Sequence, residues 1–246
     1  VRVLSRQGGA RVICHDNNLV LKQGRRVHYG EEVAARLIKQ HTNVPVPVIV
    51  FSRYNDKEGT IGMAYVPGYP LDSIWDGLNE QDKERVCHDI WAMIMRWRQI
   101  PRPAELAHRY QCLADGSSAT RDPLIKDLQN PPRPLNTDEE VRARIYQRYR
   151  RCGGDRYADT LPDMLPRCSE SVFTHADVAP RNLIVDSTGH ITGVIDWEMA
   201  GWYPDYWEYA NIMKPTNDED WQGWMDRTAP QRWDLSGISA ARRVLF

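Results

Sequence analysis

The stretch Phe173-Thr174-His175-Ala176-Asp177-Val178-Ala179-Pro180-Arg181-Asn182 runs on through Leu183-Ile184-Val185-Asp186, a Ser187-Thr188-Gly189 turn, and Ile191 to Asp196. Two short β-branched runs on either side of a glycine-containing turn predict an antiparallel hairpin. Asn182 and Asp196 each lie seven residues from Gly189, so a hairpin turning there carries both side chains to its open end. Asp177 sits on the loop that enters that end. Phosphoryl transfer needs such parts: a carboxylate to accept a hydroxyl proton, and hard oxygen ligands for a magnesium ion bridging nucleotide phosphates. A lone His-x-Asp reads more simply as a turn whose carboxylate caps backbone groups. The five-residue step from Asp177 to Asn182, the hairpin and the terminal Asp196 together favour the chemical reading.

Working outward, the chain opens on β-branched runs at Val1 to Ser5, Ala10 to Cys14 and Asn18 to Lys22, separated by Gly8-Gly9 and Asp16-Asn17, which predict a small antiparallel meander. Val33, Ala34, Leu37 and Ile38 recur at helical spacing within Glu31 to His41, and Pro45 and Pro47 force an extended exit. Ile49 to Ser52 and Ile61 to Val66 make one more hairpin before Pro67-Gly68, where a lobe boundary is placed. Beyond it, Asn79 to Gln99 puts Val86, Ile90, Met93, Ile94 and Trp97 on one helical face. Residues 101–136 carry no sustained period and read mostly as loop, a helix follows over Asp138 to Arg151, and the aromatic-rich tail after Ala200 reads as helical.

Composition narrows the function classes. With 32 Lys and Arg against 33 Asp and Glu in 246 residues, the net charge of -1 argues against a nucleic-acid partner. The apolar fraction of 41% with 26% charged residues is that of a folded globular chain. Cys14, Cys87, Cys112, Cys152 and Cys168 are scattered singly, which argues against a zinc site or a disulfide framework and fits a reducing cytoplasm. No apolar run is long enough for a membrane span or a signal peptide.

His175-x-Asp177 with Asn182, then Ile195-Asp196-Trp197-Glu198 and Gly201-Trp202-Tyr203-Pro204, resemble the catalytic and metal-binding loops of the aminoglycoside phosphotransferase and choline kinase-like family, close to its fungal members. The resemblance extends to Val20-Leu21-Lys22, Glu31 with Thr42 to Pro47, and Met63 to Gly68. It implies a bilobal, protein-kinase-like α+β fold: an antiparallel-sheet nucleotide-binding lobe over 1–67 and a mainly helical catalytic and acceptor-binding lobe over 68–246. It implies ATP and Mg2+ as cofactors and a hydroxyl on a small molecule as acceptor. Asp177 would be the base in a catalytic loop shared with His175, Asn182 and Asp196 would hold magnesium, and Lys22 would reach the nucleotide phosphates. Glu31, preferred over Glu32 because its spacing to Thr42 matches the family, would orient Lys22. Backbone groups of Ala64 and Val66 would meet the adenine.

Two departures from the family pattern bear on activity. Ala176 stands where the family has glycine, and the phosphate-covering loop is reduced to Gly8-Gly9, with no GxGxxG or GxxxxGK[ST] anywhere. These leave a rival reading, a catalytically silent pseudokinase that binds nucleotide. A protein kinase is disfavoured because Asp196 runs straight into Trp197-Glu198 without DFG or APE signatures. Arg142, Arg144, Arg148, Arg150 and Arg151 read as the solvated face of a helix. Trp197, Trp202, Tyr203, Tyr206, Trp207 and Tyr209 would either wall an acceptor pocket or pack the core. Asp205, Glu208, Asp218, Glu219 and Asp220 would suit a cationic acceptor.

Overall fold

β-Branched residues between tight turns form the first strands, β1 (Arg2–Gln7), β2 (Ala10–His15) and β3 (Leu19–Gly24), in a computed structural model that describes residues 1–16 and 18–245. The Asp16-Asn17 turn therefore lies partly outside the described residues. Helix α1 (Tyr29–His41) follows, then β4 (Ile49–Tyr54) and β5 (Gly59–Ala64), and the five strands make one antiparallel sheet in the order β1-β2-β3-β5-β4. Helix α1 buries Ala34, Ala35 and Ile38, as its periodicity requires, and also Glu31 and Glu32. Two buried carboxylates on one turn require partners.

At Gly68 the backbone takes φ 134°, and a Cβ there would lie 2.4 Å from the Val185 carbonyl oxygen, so only glycine fits the crossing. Strand β6 (Tyr69–Pro70) then pairs with a strand of the second body. Helix α2 (Glu80–Trp97) starts at an Asn79 cap, whose side chain accepts from Asp82 N at 2.9 Å, and buries Val86, Ile90, Met93, Ile94 and Trp97. After it come β7 (Cys112–Leu113), α3 (Asp138–Arg151), α4 (Leu161–Met164), β8 (Ser171–Thr174), β9 (Leu183–Val185), β10 (Ile191–Val194), β11 (Gly201–Pro204), α5 (Trp207–Ile212), α6 (Glu219–Thr228) and α7 (Ser236–Leu245). Two small sheets, β10-β9-β6 and β7-β11-β8, flank the loop that joins β8 to β9. Among the described residues no helix is long and apolar enough to cross a membrane.

Two expectations change and one open alternative is decided. The tail does not turn helical at once, because Trp202 and Tyr203 lie in β11, where both faces are buried and the alternation of a half-exposed strand disappears. Trp202 pairs with Phe173 in an edge-on contact at 5.2 Å. Trp197, Trp202, Tyr203, Tyr206 and Trp207 are all at most 2% exposed, so the aromatic series packs the core. The arginines of α3 form a solvated face only in part: Arg150 and Arg151 are exposed, but Arg148 donates to Pro123 O at 3.0 Å, and the buried Arg144 meets Asp127 at 3.0 Å.

Asp127 thus ties the 101–136 segment to α3. It accepts from the Arg133 side chain and from the Leu128, Gln129 and Arg133 backbone N–H groups. The Arg133 guanidinium is the main cause holding its carboxyl well below the usual range. A depressed folded-state pKa contributes stability above the unfolded value of about 4 and loses it as pH falls toward the folded value. Asp127→Asn is expected to be less stable at neutral pH and to lose less on acidification. Thermal melts at about pH 7, 4 and 3 check this, and parallel curves for parent and variant would contradict it.

Candidate active site

The loop after β8 is held from beneath by a buried carboxylate. Glu208 of α5, 1% exposed, accepts from His175 N at 2.7 Å, Ala176 N at 2.9 Å and the Trp97 indole N–H at 3.2 Å. Burial pushes its carboxyl above the ordinary range despite these donors. Ala176 takes φ 66°, a left-handed conformation that costs an L-residue about 1–2 kcal/mol and glycine almost nothing. The Glu208 hydrogen bonds hold it there. His175 is fully buried; its Nδ1 accepts from Asp177 N at 3.1 Å and its Nε2 donates to Ile195 O at 3.0 Å. With both nitrogens engaged it is a strut between the backbone of Asp177 and the residue before Asp196.

Asp177 follows, with both carboxylate oxygens engaged. Lys214 Nζ donates to Oδ1 at 2.6 Å, while Arg181 Nη2 and Asn182 Nδ2 donate to Oδ2 at 2.6 and 3.0 Å. Burial would raise its pKa, but Lys214 and Arg181 together hold it below the ordinary value. The hairpin forms with its register one residue away from the symmetric expectation: Leu183 faces Val194, and Ile195 N donates to Asn182 O at 2.9 Å. Next to the turn the offset is two residues, with Ile191 facing Val185, and an irregularity between Ile191 and Gly193 reduces it to one. Asp196 lies one residue past Asn182's partner, and its φ of 64° turns the chain at the open end.

Lys22 of β3 meets that end. Its ammonium, 7% exposed as a residue, lies 2.9 Å from both Glu31 oxygens, 2.7 Å from Asp196 Oδ1 and 3.4 Å from Glu198 Oε2. Burial alone would lower its pKa; the three carboxylates reverse this and hold it charged. Burial likewise pushes Glu31 upward against the pull of Lys22. Glu32 is committed elsewhere, to Arg36 and the Tyr54 hydroxyl. Glu198, which sequence reasoning assigned no role, also holds Arg26 at 2.7 Å and Arg121 at 3.3 Å.

Oxygens of Glu31, Asp196 and Glu198 lie within 4.8 Å of one another, a hard donor set of the kind a divalent cation takes. The Asn182 amide nitrogen is turned to Asp177, which leaves its carbonyl oxygen as the atom suited to a metal. At the joint between the lobes, Ala64 N–H is satisfied by Val48 O at 2.8 Å, so only its carbonyl remains for a ligand. Among the described residues no backbone acceptor meets the Val66 N–H. Val66 packs over Gly193, where a Cβ would lie 2.7 Å from its Cγ1. The Gly8-Gly9 turn folds back on Arg26, whose N–H donates to Gly9 O at 3.1 Å. A cavity of about 290 Å³ opens beside Glu198, lined by Tyr29, Leu113, Ala119, Arg121 and Met199 among others, and no residue from 175–182 lines it.

The family model of the phosphotransferase enzyme family matches residues 8–240. The chain belongs to the phosphotransferase enzyme family. Solved members of this fold align over 99% of this phosphotransferase-family chain. The ternary complex of APH(2'')-IIa with streptomycin and ATP has 14% identity and a TM-score of 0.61 over 80% of its own length. Aminoglycoside phosphotransferase APH(3'')-Id from Streptomyces rimosus has 16% identity and a TM-score of 0.55 over 92%. Macrolide 2'-phosphotransferase type I has 16% identity and a TM-score of 0.56 over 81%. No curated protein sequence is significantly similar to the chain. At these identities the neighbours establish the kinase-like α+β fold, and a place near fungal members of the phosphotransferase family is not among the things they show.

Within this phosphotransferase fold, Glu208 is the residue whose role the sequence concealed. In sequence it suits a cationic acceptor, yet it lies under the loop that carries Asp177. Its place inside Trp207-Glu208-Tyr209-Ala210, an otherwise apolar run, was the available sign of burial. Glu208→Gln turns an amide donor toward a backbone donor and is expected to cost about 1–3 kcal/mol. It should also lower turnover, because the loop carrying Asp177 loses its anchor. Melting temperature and ATP consumption together check this; an unchanged Tm would contradict the anchoring role.

Proposed function

We propose that the chain transfers the γ-phosphoryl group of ATP to a hydroxyl of a small molecule. The observation that carries this reading is the bonded network of residues from separate stretches of sequence. Lys22 joins Glu31 to Asp196, and Asp177 and Asn182 connect through His175 and Ile195 to the same turn. In this reading Asp177 orients the acceptor hydroxyl and takes its proton, and His175 keeps Asp177 in place. Lys22, fixed by Glu31, contacts the nucleotide phosphates. The Ala64 carbonyl and the Val66 N–H meet the adenine. Asn182 and Asp196 hold magnesium, with Glu198 close enough to share it. Magnesium, when bound there, would offset negative charge on the transferring group.

One observation favours the second reading, a nucleotide-responsive pseudokinase. Both oxygens of Asp177 and all three carboxylates around Lys22 hold cations of the protein itself. A catalytic cycle has to loosen the Lys22–Asp196 pair before Asp196 can take a metal. Incubating the protein with ATP and magnesium against amino alcohols, aminoglycosides, sugars and hydroxylated natural products separates the two readings. A phosphotransferase releases ADP in an acceptor-dependent way and yields a phosphorylated acceptor, whereas nucleotide binding without turnover under any condition supports the pseudokinase.

A further inference from the structure

Asp177 is flanked by two cations, and the one that reaches it from outside the catalytic loop is Lys214, 37 positions along the chain. Lys214 is placed by the fold. It lies just past α5, the helix whose Glu208 anchors the backbone of 175–176, and Gln222 of α6 donates to the carbonyls of Ile212 and Lys214 at 2.6 and 2.5 Å. Its side chain is one-third exposed, so the ion pair borders solvent.

An acceptor hydroxyl must donate to an oxygen of Asp177. Oδ2 already accepts from Arg181 and Asn182, while Oδ1 accepts from Lys214 alone. A carboxylate oxygen has room for a second donor, so the hydroxyl comes to Oδ1 beside the ammonium. Whatever the acceptor carries next to that hydroxyl then lies within a few ångströms of a fixed positive charge, which attracts an anion and repels a cation. Two of the acids suited to a cationic acceptor are committed elsewhere: Glu208 lies under the loop, and Asp220 holds Lys83 and the Trp75 indole.

Resting on the phosphotransferase reading above, we propose that the acceptor is a hydroxy acid whose carboxylate pairs with Lys214 while its hydroxyl meets Asp177 Oδ1. The acceptor oxygen bonds to the γ-phosphorus, and the bond to the β–γ bridging oxygen breaks with its electron pair leaving on ADP. The hydroxyl proton passes to Asp177. Lys214 is thereby a specificity residue, set against polycationic acceptors.

Two matched series test this. Glycerate, glyceramide and 3-amino-1,2-propanediol differ in charge on one aliphatic scaffold; mandelate, mandelamide and 2-amino-1-phenylethanol do so on an aromatic one. ADP release with magnesium is measured for parent, Lys214→Met and Lys214→Arg, with hydrolysis to water recorded separately. The parent is expected to turn over the acid above the amide and the amine in at least one series. Lys214→Met should lower kcat/KM for that acid about 10- to 100-fold, mainly through KM, the span of one charged hydrogen bond, with the amide little changed. Lys214→Arg should restore part of the loss. Preference for the amine, an equal fall in kcat for every acceptor, or ATP hydrolysis with neither acid used would overturn the hydroxy-acid assignment and leave phosphotransfer standing. ATP binding with no turnover to water or to any acceptor would overturn phosphotransfer itself, and this inference with it.

Discussion

Asp177→Asn is expected to lower turnover by roughly two to four orders of magnitude, the span for a lost general base, without weakening ATP binding. The amide has the volume of the carboxylate and can keep its place on the loop, because that place is set by bonds to backbone groups of His175 and Ala176 from Glu208. It can neither accept a proton at neutral pH nor balance Lys214 and Arg181, which lie 2.6 Å from the two oxygens. The variant therefore carries more uncompensated positive charge where an anionic nucleotide binds, and its ATP affinity should hold or tighten. Single-turnover ADP release and calorimetric titration measure the two halves. A variant as active as the parent removes Asp177 from the chemistry.

Asp196→Ala is expected to abolish magnesium-dependent ATP binding, and to do so more severely than Asn182→Ala. A carboxylate brings a full charge to a divalent cation and an amide oxygen does not. Asp196 also holds Lys22 at 2.7 Å, so its loss releases the ammonium on one side, while Glu31 keeps it at 2.9 Å on the other. Asp196→Ala should accordingly retain weak, metal-independent affinity for ATP that Asn182→Ala does not share as its only mode. Titrations of both variants with and without magnesium decide this, and equal, metal-independent affinities would count against a metal at the hairpin's open end.

The parts of this site that were legible in sequence are those fixed by local geometry. The strand-turn-strand pattern of 183–194 gave the hairpin, and the Lys22 strand with its following helix gave an acidic partner. Periodicity could not separate Glu31 from Glu32, since adjacent helical residues differ by a rotation whose outcome depends on where β3 lies; the family spacing chose Glu31, and Lys22 meets it. The hairpin register differs from the symmetric one because the turn closes with Asp186 N donating to His190 O, one residue before a turn centred on Gly189, and the irregularity next to Gly193 recovers only part of that offset; neither leaves a mark in the composition of the strands. Glu208, Glu198 and Lys214 were not legible as site residues. Each acts across 32 to 176 positions of chain, and their types alone are common on any surface. The aromatic tail was ambiguous for a related reason, since a buried strand and a pocket wall use the same residues until their neighbours are known.

If Lys22, held by Glu31 and Asp196, grips the phosphates of a bound nucleotide, adenosine provides the internal control. Thermal-shift titrations of the parent and of Lys22→Met with ATP, ATP plus magnesium, and adenosine test it most directly. Lys22→Met is expected to weaken ATP far more than adenosine, because only ATP presents the anionic oxygens that the ammonium would contact. A variant that keeps the parent's preference for ATP over adenosine would contradict it.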